Sequence, residues 1–116
     1  MRFIFIVLFL VSFGSASMGG VGDIYFCEPK NYIIINEDHG ARSYMLEKFK
    51  FKWEQSQIKF GKGSYFDDAS YNIELTRDEH FQARRFYSFI QFDKGDFFYS
   101  QTTDSITAIS ARCDKF

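Results

Sequence analysis

The chain has 116 residues, of which 21% are aromatic and 25% charged, and its formal net charge is −1. A balance this close to neutral gives no overall electrostatic attraction to nucleic acid or acidic lipid, and no nucleic-acid partner is expected. The length suits a single domain, and the excess of aromatic side chains favours β structure.

The first 17 residues have the three parts of a secretory signal peptide. Arg2 supplies a positive charge, residues 3–13 form an apolar run, and small residues follow. The run is shorter than the roughly 20 residues that a bilayer-spanning helix needs. We therefore predict cleavage after Ala16 or Ser17, which releases a secreted or periplasmic β domain at residues 18–116. An uncleaved N-terminal anchor is the alternative, and an integral membrane protein is not expected.

Both cysteines, Cys27 and Cys113, lie in this predicted domain. A disulfide is the default for such a pair in an exported protein, with two free thiols or half of a metal site as alternatives. Closing a loop of about 87 residues would stabilise the fold by at most about 4.6 kcal/mol in the chain-entropy model, because strain in the folded protein lowers the figure. Two cysteines and two distant histidines do not give the ligand spacing of a zinc site. Neither a metal nor a cofactor is expected.

The first half of the domain predicts four strands. Two short apolar segments, residues 23–27 and residues 32–35, are separated by Pro29, the only proline. Residues 48–53 then alternate strictly, so that the aromatic side chains face one way and three lysines face the other. Residues 57–60 repeat this alternation after a polar link, which predicts a hairpin with the preceding strand.

The second half is organised around one hairpin. Residues 71–76 alternate again, with Leu75 among the side chains predicted to face inward, and a polar turn leads into residues 81–102. There, two aromatic-rich runs flank the turn-forming residues 93–96, which is a hairpin signal. A last strand of small residues follows at residues 106–113.

Pairing of Phe92 with Phe97 sets the register of this central hairpin. One face then carries two cross-strand pairs, Ile90 with Tyr99 and Ser88 with Gln101. The other face carries Tyr87, Phe89, Phe98 and Ser100. Since both faces are apolar near the turn, two explanations are open. The hairpin is covered on both sides, or one face is covered and the other is open to a ligand.

These elements predict an all-β fold. Seven or eight short strands, with turn signals roughly every 8–12 residues, are typical of an antiparallel meander that forms a small barrel or a sandwich. The disulfide would join the first strand to the last, and these are neighbours in a meander that closes on itself. A sandwich places the cysteines equally well, so both architectures remain open.

The chain resembles small uncharacterised secreted bacterial proteins with one early cysteine and one near the C terminus. The resemblance is carried by the signal segment, the alternating Phe-Lys-Phe-Lys-Trp segment at residues 49–53, and the Cys-Asp-Lys-Phe tail at residues 113–116. It implies export, and it assigns no activity, cofactor or site residue.

A lysine stripe interleaves with aromatic residues in the sequence. Its members are Lys48, Lys50, Lys52 and Lys59. Basic and aromatic residues on one face of a sheet can bind single-stranded nucleic acid. Here, alternation puts the rings on the opposite face from the charges. A solvated strand face that discourages edge pairing is therefore expected. Binding of an anionic polymer or a membrane surface is the alternative.

Two consecutive arginines, Arg84 and Arg85, must point to opposite faces of their strand. One of them could face the interior, where it would need an acidic or carbonyl partner, and Glu74 is the nearest candidate. Structural pairing at a barrel mouth or strand end is expected, and recognition of a ligand carboxylate is the alternative.

The histidines and the aspartate pairs lie in polar turns. His39 and His80 each stand beside an acid, which is compatible with a general base, but no nucleophile motif accompanies them. The two aspartate pairs are Asp67 with Asp68 and Asp93 with Asp96. Neither has the spacing of an EF-hand loop, so turn roles are expected for both.

Without a catalytic motif, the sequence favours a non-catalytic binding or interaction module that uses aromatic residues of the central hairpin. The candidate binding residues are Tyr87, Phe89, Phe98 and Arg85. The partner would be a small apolar ligand inside a barrel, or another exported protein at an exposed aromatic patch. A small enzyme with a loop histidine and carboxylate, or a structural envelope-associated protein, is the alternative.

Overall fold

A computed structural model describes residues 20–116, so the predicted signal peptide and its cleavage site lie outside the described residues. Its nine strands are β1 (Ile24–Asn36), β2 (Gly40–Ser43), β3 (Phe49–Trp53), β4 (Gln57–Phe60), β5 (Ser70–Arg77), β6 (His80–Arg85), β7 (Ser88–Asp93), β8 (Asp96–Thr102) and β9 (Ile106–Lys115). Among these residues, no helix is long and apolar enough to cross a membrane.

The sheet closes into an antiparallel barrel of eight strands. Neighbours in sequence pair from β3 to β9, and β1 pairs with both β3 and β9. The extra strand, β2, pairs with the last four residues of β1, beyond the segment that pairs with β3. The all-β meander is therefore confirmed, and of the two open architectures the barrel is the one formed.

The predicted disulfide is confirmed. Cys27 and Cys113 are directly opposite each other in the β1–β9 ladder, with Cα atoms 4.0 Å apart. This separation lies within the roughly 7 Å limit beyond which a bridge cannot form. The bond thus joins the first and last strands of the barrel at the seam where the sheet closes.

The prediction that Pro29 separates two strands is wrong, because β1 runs through it. The ladder with β9 has a bulge between Pro29 and Asn31, and proline is tolerated in sheets at bulges. The opposite edge of β1 is also unpaired here, since pairing to β3 ends at Cys27 and pairing to β2 begins at Ile33. The missing amide hydrogen therefore costs no ladder bond on that edge.

The alternation of β3 and its hairpin with β4 are confirmed. Phe49, Phe51 and Trp53 are buried, while the lysines between them are exposed. The prediction for the end of β5 is wrong, because Leu75 is 38% exposed. A bulge between Ile73 and Leu75 changes which side chains face inward.

The central hairpin has the predicted register, with Phe92 opposite Phe97 and Ile90 opposite Tyr99. Its turn, Lys94-Gly95, has positive φ at both residues, as a type I′ turn requires. The run before it is not one strand, however, because it breaks into β6 and β7 at Phe86 and Tyr87. That second turn contains none of the usual turn-forming residues, so the sequence did not indicate it.

Aromatic rings fill the barrel. Six aromatic side chains are at most 1% exposed: Phe51, Trp53, Phe60, Phe81, Phe92 and Phe97. An eight-stranded barrel is just wide enough for its own side chains to fill it. The idea that the central hairpin is covered on both sides is wrong, because its outer face leaves Phe98 52% exposed. One face is covered and the other is open.

Candidate functional site at the mouth of the barrel

One end of the barrel is an open cavity, which we call the mouth. Its volume is about 530 Å³. It is surrounded by the loop between β4 and β5, by the turn between β6 and β7, and by residues of β5 to β8 next to them. The lining residues are Tyr65, Phe66, Asp67, Ala69, Tyr71, Arg85, Phe86, Tyr87, Ser88, Tyr99 and Gln101.

Hydroxyl groups converge at the base of the mouth. Tyr99 donates to the side-chain oxygen of Gln101 at 2.5 Å. Its oxygen also lies 3.2 Å from the Ser88 hydroxyl and 3.4 Å from the Tyr65 hydroxyl. Burial raises the pKa of both Tyr99 and Tyr71 above the ordinary tyrosine value. These phenols therefore remain neutral at physiological pH, and each can both donate and accept a hydrogen bond.

Arg85 stands at the rim of the mouth. Phe81 and Ala83 fill the two preceding inward positions of β6, and the third inward position is Arg85, opposite Ser88. At the strand end its guanidinium reaches solvent, 5.8 Å from the centre of the Phe86 ring. Among residues 20–116 it makes no ion pair. This leaves a cation with unused hydrogen-bond donors at the opening.

Arg84 is held on the outer wall. Its Nε lies 3.2 Å from a Glu74 carboxylate oxygen, and its guanidinium is 5.0 Å from the centre of the Phe89 ring. The two arginines thus point to opposite faces, as predicted. The prediction that Glu74 partners the interior-facing arginine is wrong, because Glu74 pairs with the exposed Arg84. Only Arg85 lines the mouth.

The turn that completes the rim is strained. Phe86 has φ +53°, a left-handed conformation that bulky residues rarely adopt. Phe86 is 81% exposed and Tyr87 74%, so neither gains stability by burial in the core. Strained positions of this kind cluster at binding and active sites.

The four predicted binding residues fall on two surfaces. Arg85 and Tyr87 line the mouth. Phe89 and Phe98 instead line a groove of about 590 Å³ on the outer wall. The four candidates therefore do not share one surface, because alternation along β7 and β8 sends these two phenylalanines outward while the mouth opens at the strand ends.

Sequence reasoning missed the hydroxyl cluster. The hairpin register had already placed Ser88, Tyr99 and Gln101 on one face, and their polar ends were a signal that could have been used. Tyr65 gave no such signal, because it lies in the β4–β5 loop and meets Tyr99 only when the barrel closes.

The histidines and the aspartates do not line the mouth, apart from Asp67. His39 is exposed in the β1–β2 turn, and His80 Nδ1 lies 3.5 Å from an Asp93 oxygen. Asp68 and Asp96 pair with basic side chains, and Asp67 accepts from the Gly63 amide. In the described part of the chain, no group of three or more His, Cys, Asp or Glu residues could hold a metal ion.

Comparison with protein-family models, with curated proteins and with solved structures finds no match to this chain. Its function therefore has to be inferred from the residues of the mouth and of the barrel wall.

Proposed function

We propose that this chain is an exported, non-catalytic binding module, and that the mouth binds a small ligand with an apolar or aromatic body and a carboxylate. One observation carries the proposal. An unpaired arginine and two exposed rings surround a base of neutral hydroxyl groups, and the turn that presents them is strained. The disulfide supports export, because such bonds persist in oxidising compartments.

The charge of the ligand follows from Arg85. Guanidinium groups favour carboxylates, since two parallel N–H donors match the two carboxylate oxygens. Arg84, one residue earlier, already has such a partner in Glu74. Arg85 lacks one within the described chain, so an incoming anion would supply it.

The chemical character of the ligand body is inferred from the exposed rings and from the hydroxyl groups at the bottom of the mouth. Phe86 and Tyr87 offer exposed aromatic faces, and hydrogen bonds from Ser88, Tyr99 and Gln101 would orient a polar substituent. A volume of about 530 Å³ is within the usual range for small-molecule sites. The filled barrel interior argues against a ligand enclosed among the strands.

The proposal is tested by NMR titration of the purified protein with 3-phenylpropionate and decanoate, each compared with its uncharged amide. We expect the two carboxylate ligands to shift the backbone resonances of residues Arg85 to Ser88. The uncharged amide ligands should bind more weakly. Arg85→Gln should weaken carboxylate binding at least about tenfold, because a hydrogen bond to a charged group contributes about 1.5–3 kcal/mol.

Arg84→Gln is the matched control, since it removes the same charge from the neighbouring position on the outer wall. It should leave carboxylate binding unchanged. Equal losses in the two variants, or shifts confined to other parts of the barrel, would contradict the mouth as the binding site.

A second candidate rests on the outer groove. Phe98 is 52% exposed there, beside Phe89, which is consistent with contact to another exported protein. Capture of proteins from the exporting compartment would then depend on Phe98, and Phe98→Ser would abolish it while Arg85→Gln would not.

A further inference from the structure

The wall of the barrel carries aromatic rings on the same face as the lysine stripe. In β3 alone, alternation puts the lysines opposite the rings, but the neighbouring strand β1 pairs with β3 and adds side chains to the lysine face. Phe26 then lies opposite Lys50, and Ile24 lies opposite Lys52. We call this surface the aromatic–lysine face, formed by Ile24, Phe26, Lys50, Lys52 and Phe116.

Contacts hold the rings of this face outward. The Phe116 ring packs edge-on against Phe26 with centroids 5.1 Å apart, and the Phe116 amide donates to the Ile24 carbonyl at 2.8 Å. Phe116 is nevertheless 85% exposed and Phe26 43% exposed. The face surrounds a depression of about 380 Å³. These apolar rings are held in contact with water, so a partner that covers them gains binding free energy.

Lys50 is positioned between a ring and the backbone. Its Nζ lies 6.0 Å from the centre of the Phe26 ring. Its stem crosses Gly61, where an added Cβ would approach Lys50 Cε to 2.9 Å. The ammonium group therefore stands next to the exposed rings.

The β3 side and the β9 side of this face differ in charge. Lys48, Lys50 and Lys52 make no ion pair with any of residues 20–116, whereas Lys59 pairs with Asp68 at 3.1 Å. Asp114 lies opposite Phe26 on β9, and Glu28, two residues beyond Phe26 in β1, pairs with Lys30 at 3.8 Å. The β3 side is thus locally cationic although the whole chain is slightly acidic.

We propose that the aromatic–lysine face binds the surface of an anionic phospholipid bilayer. Rings at the boundary of the acyl chains, with ammonium groups reaching the headgroup phosphates, are the pattern of peripheral membrane binding. Single-stranded nucleic acid fits less well. The Phe26 and Phe116 rings lie at 75° to each other, and Lys50 stands over Phe26, so bases have no shared stacking surface.

Sedimentation with vesicles tests the lysines. Vesicles of phosphatidylcholine alone are compared with vesicles that contain about 30% phosphatidylglycerol, at about 0.1 M and about 1 M salt. We expect binding to the anionic vesicles only, weakened by salt. Each lysine near an anionic surface strengthens binding about fivefold, so Lys50→Gln with Lys52→Gln should weaken it about 30-fold.

Arg42→Gln with Arg77→Gln is the matched control, because it removes two charges from exposed positions outside the face. It should leave vesicle binding within about twofold of the unchanged protein. All variants share one N terminus, so any contribution of the apolar run at residues 3–13 is the same in the test and control variants.

A second pair of variants tests the rings. Phe116→Ser should weaken binding about tenfold or more, since a phenyl group leaves the acyl boundary. Phe86→Ser removes an equally exposed ring at the mouth and should have no effect on vesicle binding.

Three outcomes would each overturn the proposal: equal binding to neutral vesicles, equal losses in test and control variants, or tighter lysine-dependent binding to a single-stranded oligonucleotide. These readouts do not involve the ligand of the mouth.

Discussion

At the scale of single residues, Phe86 combines a disfavoured backbone conformation with an exposed ring. Asparagine is tolerated at positive φ far better than phenylalanine. Phe86→Asn should therefore stabilise the protein by about 0.5–1 kcal/mol, after the loss of a weak contact with Arg85. Urea unfolding measures the change, and the same variant should lose carboxylate binding at the mouth.

Tyr87→Asn is the control for this prediction, because Tyr87 is similarly exposed but is not among the residues with positive φ. It should not stabilise the protein. If both variants change the free energy of unfolding equally, the turn is not strained at Phe86. The strain would then no longer support a role for Phe86 in ligand binding.

Tyr25 gives a prediction about alkaline stability. Burial, followed by the charges of Asp23 and Glu79, raises its pKa from 10.0 to about 12. Between pH 10 and pH 12 the unfolded chain therefore loses this proton while the folded protein keeps it. The contribution to stability is complete below pH 10 and is lost as pH rises through 12, at up to about 1.4 kcal/mol per pH unit.

Tyr25→Phe keeps the ring contacts to Phe51 and Phe92 and removes the titrating hydroxyl. Urea unfolding across this pH range should show a smaller alkaline loss of stability in the variant. An unchanged slope would show that Tyr25 ionises equally in the folded and unfolded chains.

Which side chains face inward was predictable wherever alternation ran unbroken, as in β3 and in the central hairpin. It failed at Leu75 and around Pro29, because a bulge inserts one residue and exchanges the two faces beyond it. A bulge depends on the partner strand, so the local pattern of one strand does not contain it.

At the scale of elements, the β6–β7 and β7–β8 turns show the same limit of prediction from local sequence. Gly95 indicated the β7–β8 turn, and its φ of +95° is the reason a glycine is used. The β6–β7 turn was missed because Phe86 and Tyr87 resemble strand residues in composition. Since that turn forms the rim of the mouth, the candidate site was identified only in part, through Arg85 and Tyr87.

At the scale of the whole molecule, contacts between segments distant in sequence create both proposed surfaces. The mouth needs Tyr65 from the β4–β5 loop beside Tyr99, and the aromatic–lysine face needs β1 beside β3. Neither proximity follows from local patterns. The cysteine pair was the one sequence feature that favoured neighbouring first and last strands.

That pair provides a test of closure. Cys27→Ala with Cys113→Ala should lower the free energy of unfolding by about 2–4 kcal/mol, because the unfolded chain is no longer cross-linked across a long loop. Folding should persist, since the β1–β9 ladder extends from Tyr25 to Ile35 of β1 on both sides of the bond. Urea unfolding measures the loss, and hydrogen exchange of the β1 and β9 amides should show that the seam opens more readily than β6 to β8. Uniform exchange throughout the barrel, or an unchanged midpoint, would mean that the seam is closed by its ladder and ring packing without help from the disulfide.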